Sequence, residues 1–242
     1  MIDLHSHILP GLDDGARDMR EALNMAAMAA QSGVTAMAVT PHCIHGDARA
    51  VAQTCQMLRR KLQQAEIPLE LYLGMEIFGT PETAELLRQG ILTTLNGSRY
   101  PLIEFGFQTD GEAETEILES VVQAGYRPVV AHPERYEYVQ QEPALINHWH
   151  KMGCLLQVNR GSLLGRFGTA ARDMALELVD RGFATVVASD AHSASMRTPW
   201  MADVRHLLRE TFPSSAARYL LRENPWRILN DEDMPAIEPG WF

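Results

Sequence analysis

The chain has 242 residues, of which 46% are hydrophobic and 21% charged; this suits one sizeable folded core and excludes wholesale disorder. A net charge of −10 argues against a nucleic-acid partner and against an anionic membrane surface. Cys43, Cys55 and Cys154 are too scattered for a disulfide framework, no apolar run reaches the length of a membrane span, and Met1–His5 already reads as structure rather than as a signal peptide. The expectation is a cytoplasmic protein without stable membrane insertion.

Short apolar, partly β-branched segments alternate with amphipathic or Ala-rich ones. In chain order the pattern predicts strand Met1–His5, helix Met19–Gln31, strand Val34–Thr40, helix Ala48–Gln64, strand Leu69–Met75 and helix Pro81–Gln89. Strand Tyr100–Phe105, helix Glu112–Gln123, strand Pro128–Ala131 and helix Pro143–Lys151 follow. Strand Cys154–Val158, helix Thr169–Asp180 and strand Ala184–Ala188 come next, with more helix after residue 200. Gly33 and Gly182 stand between a helix and the next strand, where a left-handed cap is needed. Repeated strand–helix order implies parallel strands joined by right-handed crossovers. Seven units suggest one domain over residues 1–242, a closed or nearly closed barrel resembling (β/α)8 with one unit missing; a doubly wound open sheet is the alternative. The proline-rich tail Asn224–Phe242 is expected to wrap the surface.

Residues able to bind metals gather at the predicted strand ends. His5 and His7 close the first strand, His42 the second, Glu76 the third, Glu104 the fourth and His132 the fifth; Asp190 and His192 close the seventh. In a parallel barrel those ends form the active-site face, so the side chains can converge. The i, i+2 spacing of His5/His7 and Asp190/His192 puts each pair on one side of its strand. A single such histidine is more often structural than a ligand, but core histidines have no reason to choose strand C-termini repeatedly. Imidazole and carboxylate donors without thiolate suit Mn, Fe or Zn better than Ca. The set is too large for one ion, and two ions bridged by a carboxylate can clamp a phosphoryl group.

The ordered set His5-Ser-His7, Thr40-Pro-His42, Gly74-Met-Glu76, Ile103-Glu104, His132-Pro-Glu-Arg135 and Ser189-Asp190-Ala-His192 resembles the PHP (polymerase and histidinol phosphatase) superfamily. The stretch His5-Ser-His-Ile-Leu-Pro-Gly-Leu-Asp-Asp-Gly15, with Gln157-Val-Asn159 and Gly161-Ser-Leu-Leu-Gly165, resembles more narrowly its tyrosine-protein phosphatases of capsule and exopolysaccharide biosynthesis, the CpsB/YwqE type. The resemblance implies a distorted (β/α)7 TIM-like barrel with three divalent ions, Mn foremost and Fe, Zn or Mg as alternatives. It assigns one ion to His5, His7, Glu76 and Asp190, a second to Glu76, Glu104 and His132, and a third to Asp14, His42 and His192. It further implies that Arg135 and Arg197 bind the substrate phosphate during catalysis. The implied substrate is phosphotyrosine on the cytoplasmic tail of a bacterial tyrosine kinase that controls polysaccharide export, attacked by a metal-bridging hydroxide. Arg160 departs from the pattern, following Asn159 where a small residue is expected; it either adds a phosphate contact or takes a structural place. Asp13 and His45 are candidates for a general acid.

His42-Cys43-Ile-His-Gly46-Asp-Ala-Arg49 matches the HCxxGxxR signature of cysteine-dependent tyrosine phosphatases. Residue 50 is alanine where that chemistry uses a hydroxyl, and a Cys43 nucleophile would leave the other strand-end residues unexplained. Three further readings stay open: a small-molecule phosphatase of the histidinol-phosphatase kind, a metal-dependent amidohydrolase and a non-catalytic metal-binding module. Amidohydrolases commonly bridge their metals with a modified barrel lysine, whereas Lys61 and Lys151, the only lysines, fall on predicted helices.

Overall fold

The computed structural model describes residues 1–42, 48–235 and 238–242. Eight short strands carry the architecture: β1 Ile2–Asp3, β2 Ala36–Val39, β3 Glu70–Leu73, β4 Glu76–Phe78, β5 Leu102–Glu104, β6 Val129–Ala131, β7 Leu155–Asn159 and β8 Ala184–Ala188. They form two parallel sheets, β1-β2-β3 and β4-β5-β6-β7-β8. Single bridges Ser6–Ala191 and His42–Glu76 join the sheet edges, so the strands curve into a distorted barrel without one continuous ladder. The expected third strand is broken. A side chain at Gly74 would lie 3.0 Å from the Leu95 side chain and 3.2 Å from that of Thr40, so the chain passes there at close quarters and restarts as β4. Glu76 therefore begins a strand instead of ending one.

Alternation along the strands sorts the core into two parts. On β2, Ala36 and Ala38 join Leu4, Leu102, Val129, Leu155 and Val186 in one cluster, whereas Met37 and Val39 belong to the larger cluster shared with the helices. Helix α1 (Met19–Gln31) shows how the outer layer forms: Asp18 caps it by accepting from the Glu21 backbone N–H at 2.8 Å, and Ala22, Met25, Ala26 and Ala29 bury one stripe. Helices α2 (Ala48–Gln64), α3 (Thr83–Arg88) and α4 (Glu112–Gln123) continue the layer. After them come α5 (Glu137–Gln141), α6 (Ala144–Lys151), the single turn α7 (Arg160–Leu163), α8 (Thr169–Asp180) and α9 (Ala202–Thr211). Gly33 and Gly182 have φ of 93° and 81°, the left-handed region expected of them. No helix among the described residues is long and apolar enough to cross a membrane.

The tail corrects one expectation. Instead of only wrapping the surface, α10 (Ala216–Arg218), a π-turn (Tyr219–Glu223) and α11 (Asn224–Leu229) bring Ile228 and Leu229 into the interior cluster. Buried Asn224 donates to the Thr185 carbonyl at 2.8 Å, and Asn96 donates to the Leu229 carbonyl at 2.9 Å. This plug packs against β1 and β8. Truncating fully buried Ile228 to alanine is expected to cost about 2–5 kcal/mol in denaturant unfolding; a loss below about 1 kcal/mol would show that the plug adds little to stability.

Candidate metal centre

Barrel topology gathers His5, His7, His42, Glu76, Glu104, His132, Asp190 and His192 at one end, with Asp14 beside them. Four overlapping groups have donor atoms close enough to share an ion: His7/Asp14/His42/His192, His5/His7/Asp190, His5/Glu76/His132 and His42/Glu76/Glu104. Glu76 is central. Its Oε1 lies 2.9 Å from His132 Nε2 and 3.1 Å from His5 Nε2, and its Oε2 lies 3.1 Å from His42 Nδ1 and 3.2 Å from His7 Nε2. His42 spans two groups, with Nδ1 2.8 Å from Glu104 and Nε2 3.6 Å from Asp14. Asp14 is the outlying member, well exposed, and 3.4 Å from His192 Nε2.

Backbone strain helps aim two of these groups. His132 and Asp190 have φ of 35° and 50°, left-handed conformations that cost non-glycine residues on the order of 1–3 kcal/mol and concentrate at functional sites. Each follows the last residues of its strand, where the turn redirects the side chain into the cluster.

Whether this set suits a metal is decided by the outer nitrogens of the histidines. His5 Nδ1 bonds Gln157 Oε1 at 2.8 Å, His7 Nδ1 bonds Asp13 Oδ2 at 2.7 Å, and His192 Nδ1 bonds the Asp190 carbonyl at 3.0 Å. Each acceptor requires the proton on Nδ1, which leaves the Nε2 lone pair facing inward. Yet His5 Nε2 and His7 Nε2 are only 3.2 Å apart. Two imidazole lone pairs that face each other beside buried carboxylates need a cation or a proton between them. The donors therefore fit divalent metal ions.

Charge tells the same story. Burial would raise Asp190, but His5, His132 and Arg197 hold it down to about 2. Burial also opposes ionisation of Asp13, but its bond to His7 keeps that carboxyl below the usual range, as suits a carboxylate that braces His7. It also accepts from the backbone N–H groups of Gly15 and His42, at 2.9 and 3.0 Å. Burial, with His7 beside it, pushes His192 down to about 4, so the ring is neutral and its Nε2 keeps a lone pair, which Arg197 meets in this structure.

Arg197 pairs with Asp190 Oδ2 and donates to His192 Nε2, while Arg135 reaches the same Asp190 oxygen at 3.5 Å. Arg160 does not join them. It is buried, donates to both Asp203 oxygens at 2.8 and 2.5 Å and to the Thr198 carbonyl at 3.0 Å, and so ties down the loop that carries Arg197. Three of its five N–H groups are thus engaged away from the cluster, which favours the structural reading of the two. Cys43, His45 and Gly46 lie outside the described residues. Sequence reasoning gave no role to Asn159, whose Nδ2 donates to Asp190 Oδ2 at 2.5 Å, or to Glu134, which accepts from Asn159 N–H and Ser162 Oγ. Polar residues within the fully buried run Leu155–Asn159 were the available signal.

A parallel α/β barrel with a shared imidazole–carboxylate cluster at its strand ends defines a metal-dependent hydrolase. Residues 1–230 match the family described as "Capsular polysaccharide synthesis, CpsB/CapC", and the chain belongs to that family. Tyrosine-protein phosphatase YwqE of Bacillus subtilis is 34% identical over 236 residues, covering 96% of this chain and 92% of that protein. Tyrosine-protein phosphatase CpsB of Streptococcus pneumoniae is 29% identical over 241 residues, covering 96% and 99%. A crystal structure described as that of YwqE and CpsB, metal-dependent tyrosine phosphatases, matches with a TM-score of 0.93 at 33% identity, covering 100% of this chain and 99% of that one. A crystal structure from Listeria monocytogenes, described as that of "the putative histidinol phosphatase hisK", shares the fold, with a TM-score of 0.51 at 12% identity over 80% of this chain and 96% of that one. The family and enzyme class expected from the motifs are borne out.

Two outcomes follow. Asp13→Ala removes the brace on His7 and is expected to weaken Mn²⁺ binding about 10- to 100-fold, read by calorimetry; unchanged affinity would remove Asp13 from the account. Against burial, Glu76 and Asp190 hold His5 up to about 9, and Asp13 with Glu76 holds His7 up to about 10, both from an ordinary 6.5. In chelated protein a proton is thus held between the two rings at neutral pH, where a metal would otherwise sit. Metal must displace that proton, so apparent affinity rises with pH up to about 9. Calorimetry near neutrality in buffers of different ionisation enthalpy should show net proton release; none would contradict the assignment.

Proposed function

We propose that this enzyme removes phosphate from tyrosines on the cytoplasmic tail of a bacterial tyrosine kinase that governs capsular or exopolysaccharide synthesis, and that it acts in the cytoplasm. The observation that carries the reading is the pair Arg135 and Arg197, which converge on Asp190 at the edge of the cluster. Arginine's planar fork matches phosphate oxygens, and two such groups give an acidic protein a local site for an anion. Membership of a capsule-synthesis family and kinship with named tyrosine phosphatases support the choice of substrate.

In this reading three divalent ions, Mn foremost, with Fe, Zn or Mg as alternatives, are held by the nine residues. His5, His7, Glu76 and Asp190 take the first, Glu76, Glu104 and His132 the second, and Asp14, His42 and His192 the third. The proximity of His42 Nδ1 to Glu104 and Glu76 gives it a place at the border of the second group as well. When bound, such ions supply Lewis-acid charge to phosphate oxygens and a hydroxide nucleophile at neutral pH.

The chain's own residues do the rest. Arg197 and Arg135 orient the phosphate and offset charge that grows on its non-bridging oxygens. Gln157, Asp13 and the Asp190 carbonyl keep three imidazoles turned inward. Asn159 and Arg197 hold Asp190 ionised and in place. A phenolate leaving group, with a pKa of about 10, asks little of a general acid. The amidohydrolase reading loses its usual bridging lysine, since Lys61 and Lys151 lie on α2 and α6 while Glu76 occupies the cluster's centre.

Phosphate release from a phosphotyrosine peptide should vanish after EDTA treatment and return with added Mn²⁺. Activity that survives complete metal removal would overturn this reading and turn attention to Cys43. Far higher kcat/KM on histidinol phosphate than on the peptide would favour the small-molecule reading.

A further inference from the structure

Arg135 is held in an unusual way for a residue with so much to donate. A guanidinium carries five N–H donors, yet the side chain has one polar contact among the described residues, the 3.5 Å approach of Nη1 to Asp190 Oδ2. That oxygen is already taken at closer range by Arg197 and by Asn159 Nδ2. What surrounds Arg135 instead is aromatic. Its Cζ lies 4.7 Å from the ring centre of Phe107 and 4.3 Å from that of Phe167.

Both rings are set in place by the fold. Phe107, three residues beyond Glu104 on the loop after β5, is also near the His132 and Tyr136 rings, at 6.0 and 5.9 Å between centres. Phe167 follows α7, and the chain reserves room for it: a side chain at Gly161 would come within 2.4 Å of its ring. Neither ring is swept fully into the core; Phe107 keeps 39% of its surface exposed.

We propose that Phe107 and Phe167 are positioning residues for Arg135, holding its guanidinium by their π faces so that its N–H groups stay available to the substrate phosphate. A carboxylate partner would hold the arginine as firmly but would occupy the donors that phosphate needs and cancel the charge that attracts it. An aromatic face attracts the cation through its quadrupole and uses no N–H group. Arg197 shows the contrast, because its two terminal nitrogens meet Asp190 and His192 and its Cζ lies farther from Phe167, at 5.8 Å. The two arginines thus differ at the phosphate: Arg197 also secures the cluster's carboxylate, whereas Arg135 keeps its whole fork open. This inference rests on the reading of Arg135 as a phosphate donor.

The test uses inorganic phosphate as probe, with the full chain loaded with Mn²⁺, so it stands apart from whether phosphotyrosine is the substrate. Phe167→Leu keeps bulk but removes the π face, and together with Phe107→Leu it should weaken phosphate binding in calorimetry on the order of tenfold. Phe167→Tyr and Phe107→Tyr should restore it, and Mn²⁺ content should not change. In an Arg135→Ala background the leucine changes should alter phosphate binding less than about twofold. An equal loss in that background, or equal loss with tyrosine and leucine, would overturn the proposal, since the rings would then act through packing. Phosphate binding insensitive to Arg135→Ala itself would instead refute the reading of Arg135 on which it stands. If the double leucine variant fails to fold, Phe167→Leu alone carries the comparison.

Discussion

The Glu76 carboxylate, 1% exposed, has four imidazole nitrogens within 3.2 Å of its two oxygens, from His5, His7, His42 and His132. A buried anion in such company is stable only where positive charge is shared around it. Much of the fold serves that arrangement. The break at Gly74 lets the chain begin a new strand at Glu76, and the His42–Glu76 bridge links the two sheets at that point. The imidazoles come from the ends of β1, β2 and β6, which only a closed or nearly closed ring of strands can bring together.

Around this centre lies a shell of polar residues whose task is orientation. Gln157 and Asp13 fix the tautomers of His5 and His7, Asn159 restrains Asp190, and Glu134 holds the Asn159 backbone. Arg160, bound to Asp203 and the Thr198 carbonyl, anchors the loop from which Arg197 enters. The inward-facing lone pairs, the strained turns at His132 and Asp190 and the arginines at the mouth all favour a strongly cationic occupant that is in turn approached by an anion.

Parallel α/β order was legible because each unit buries its strand and presents one helical stripe, and helices α1, α2, α4 and α8 match the expected bounds. Ligand types at strand ends were legible for the same reason: barrel topology converts a position in sequence into a position in space. The break at Gly74 was not, since it depends on the approach of Leu95 and Thr40 from distant segments. Nor was the plug formed by Ile228 and Leu229, because a proline-rich tail reads alike whether it lies over the surface or turns inward. Arg160 was ambiguous for want of its partner, as Asp203 stands forty-three positions away in sequence. Asp13 and Asp14 are adjacent and chemically identical, and only geometry assigns the first to bracing His7 and the second to the cluster's edge.

The central claim is a shared cluster of divalent ions organised by Glu76. Metal stoichiometry, measured by elemental analysis after loading with Mn²⁺ and removal of free ions, tests it most directly. The account predicts about three equivalents per wild-type chain and a loss of about two in Glu76→Gln, because that carboxylate is shared between sites. One equivalent or fewer in the wild type, or a full complement retained by Glu76→Gln, would contradict it.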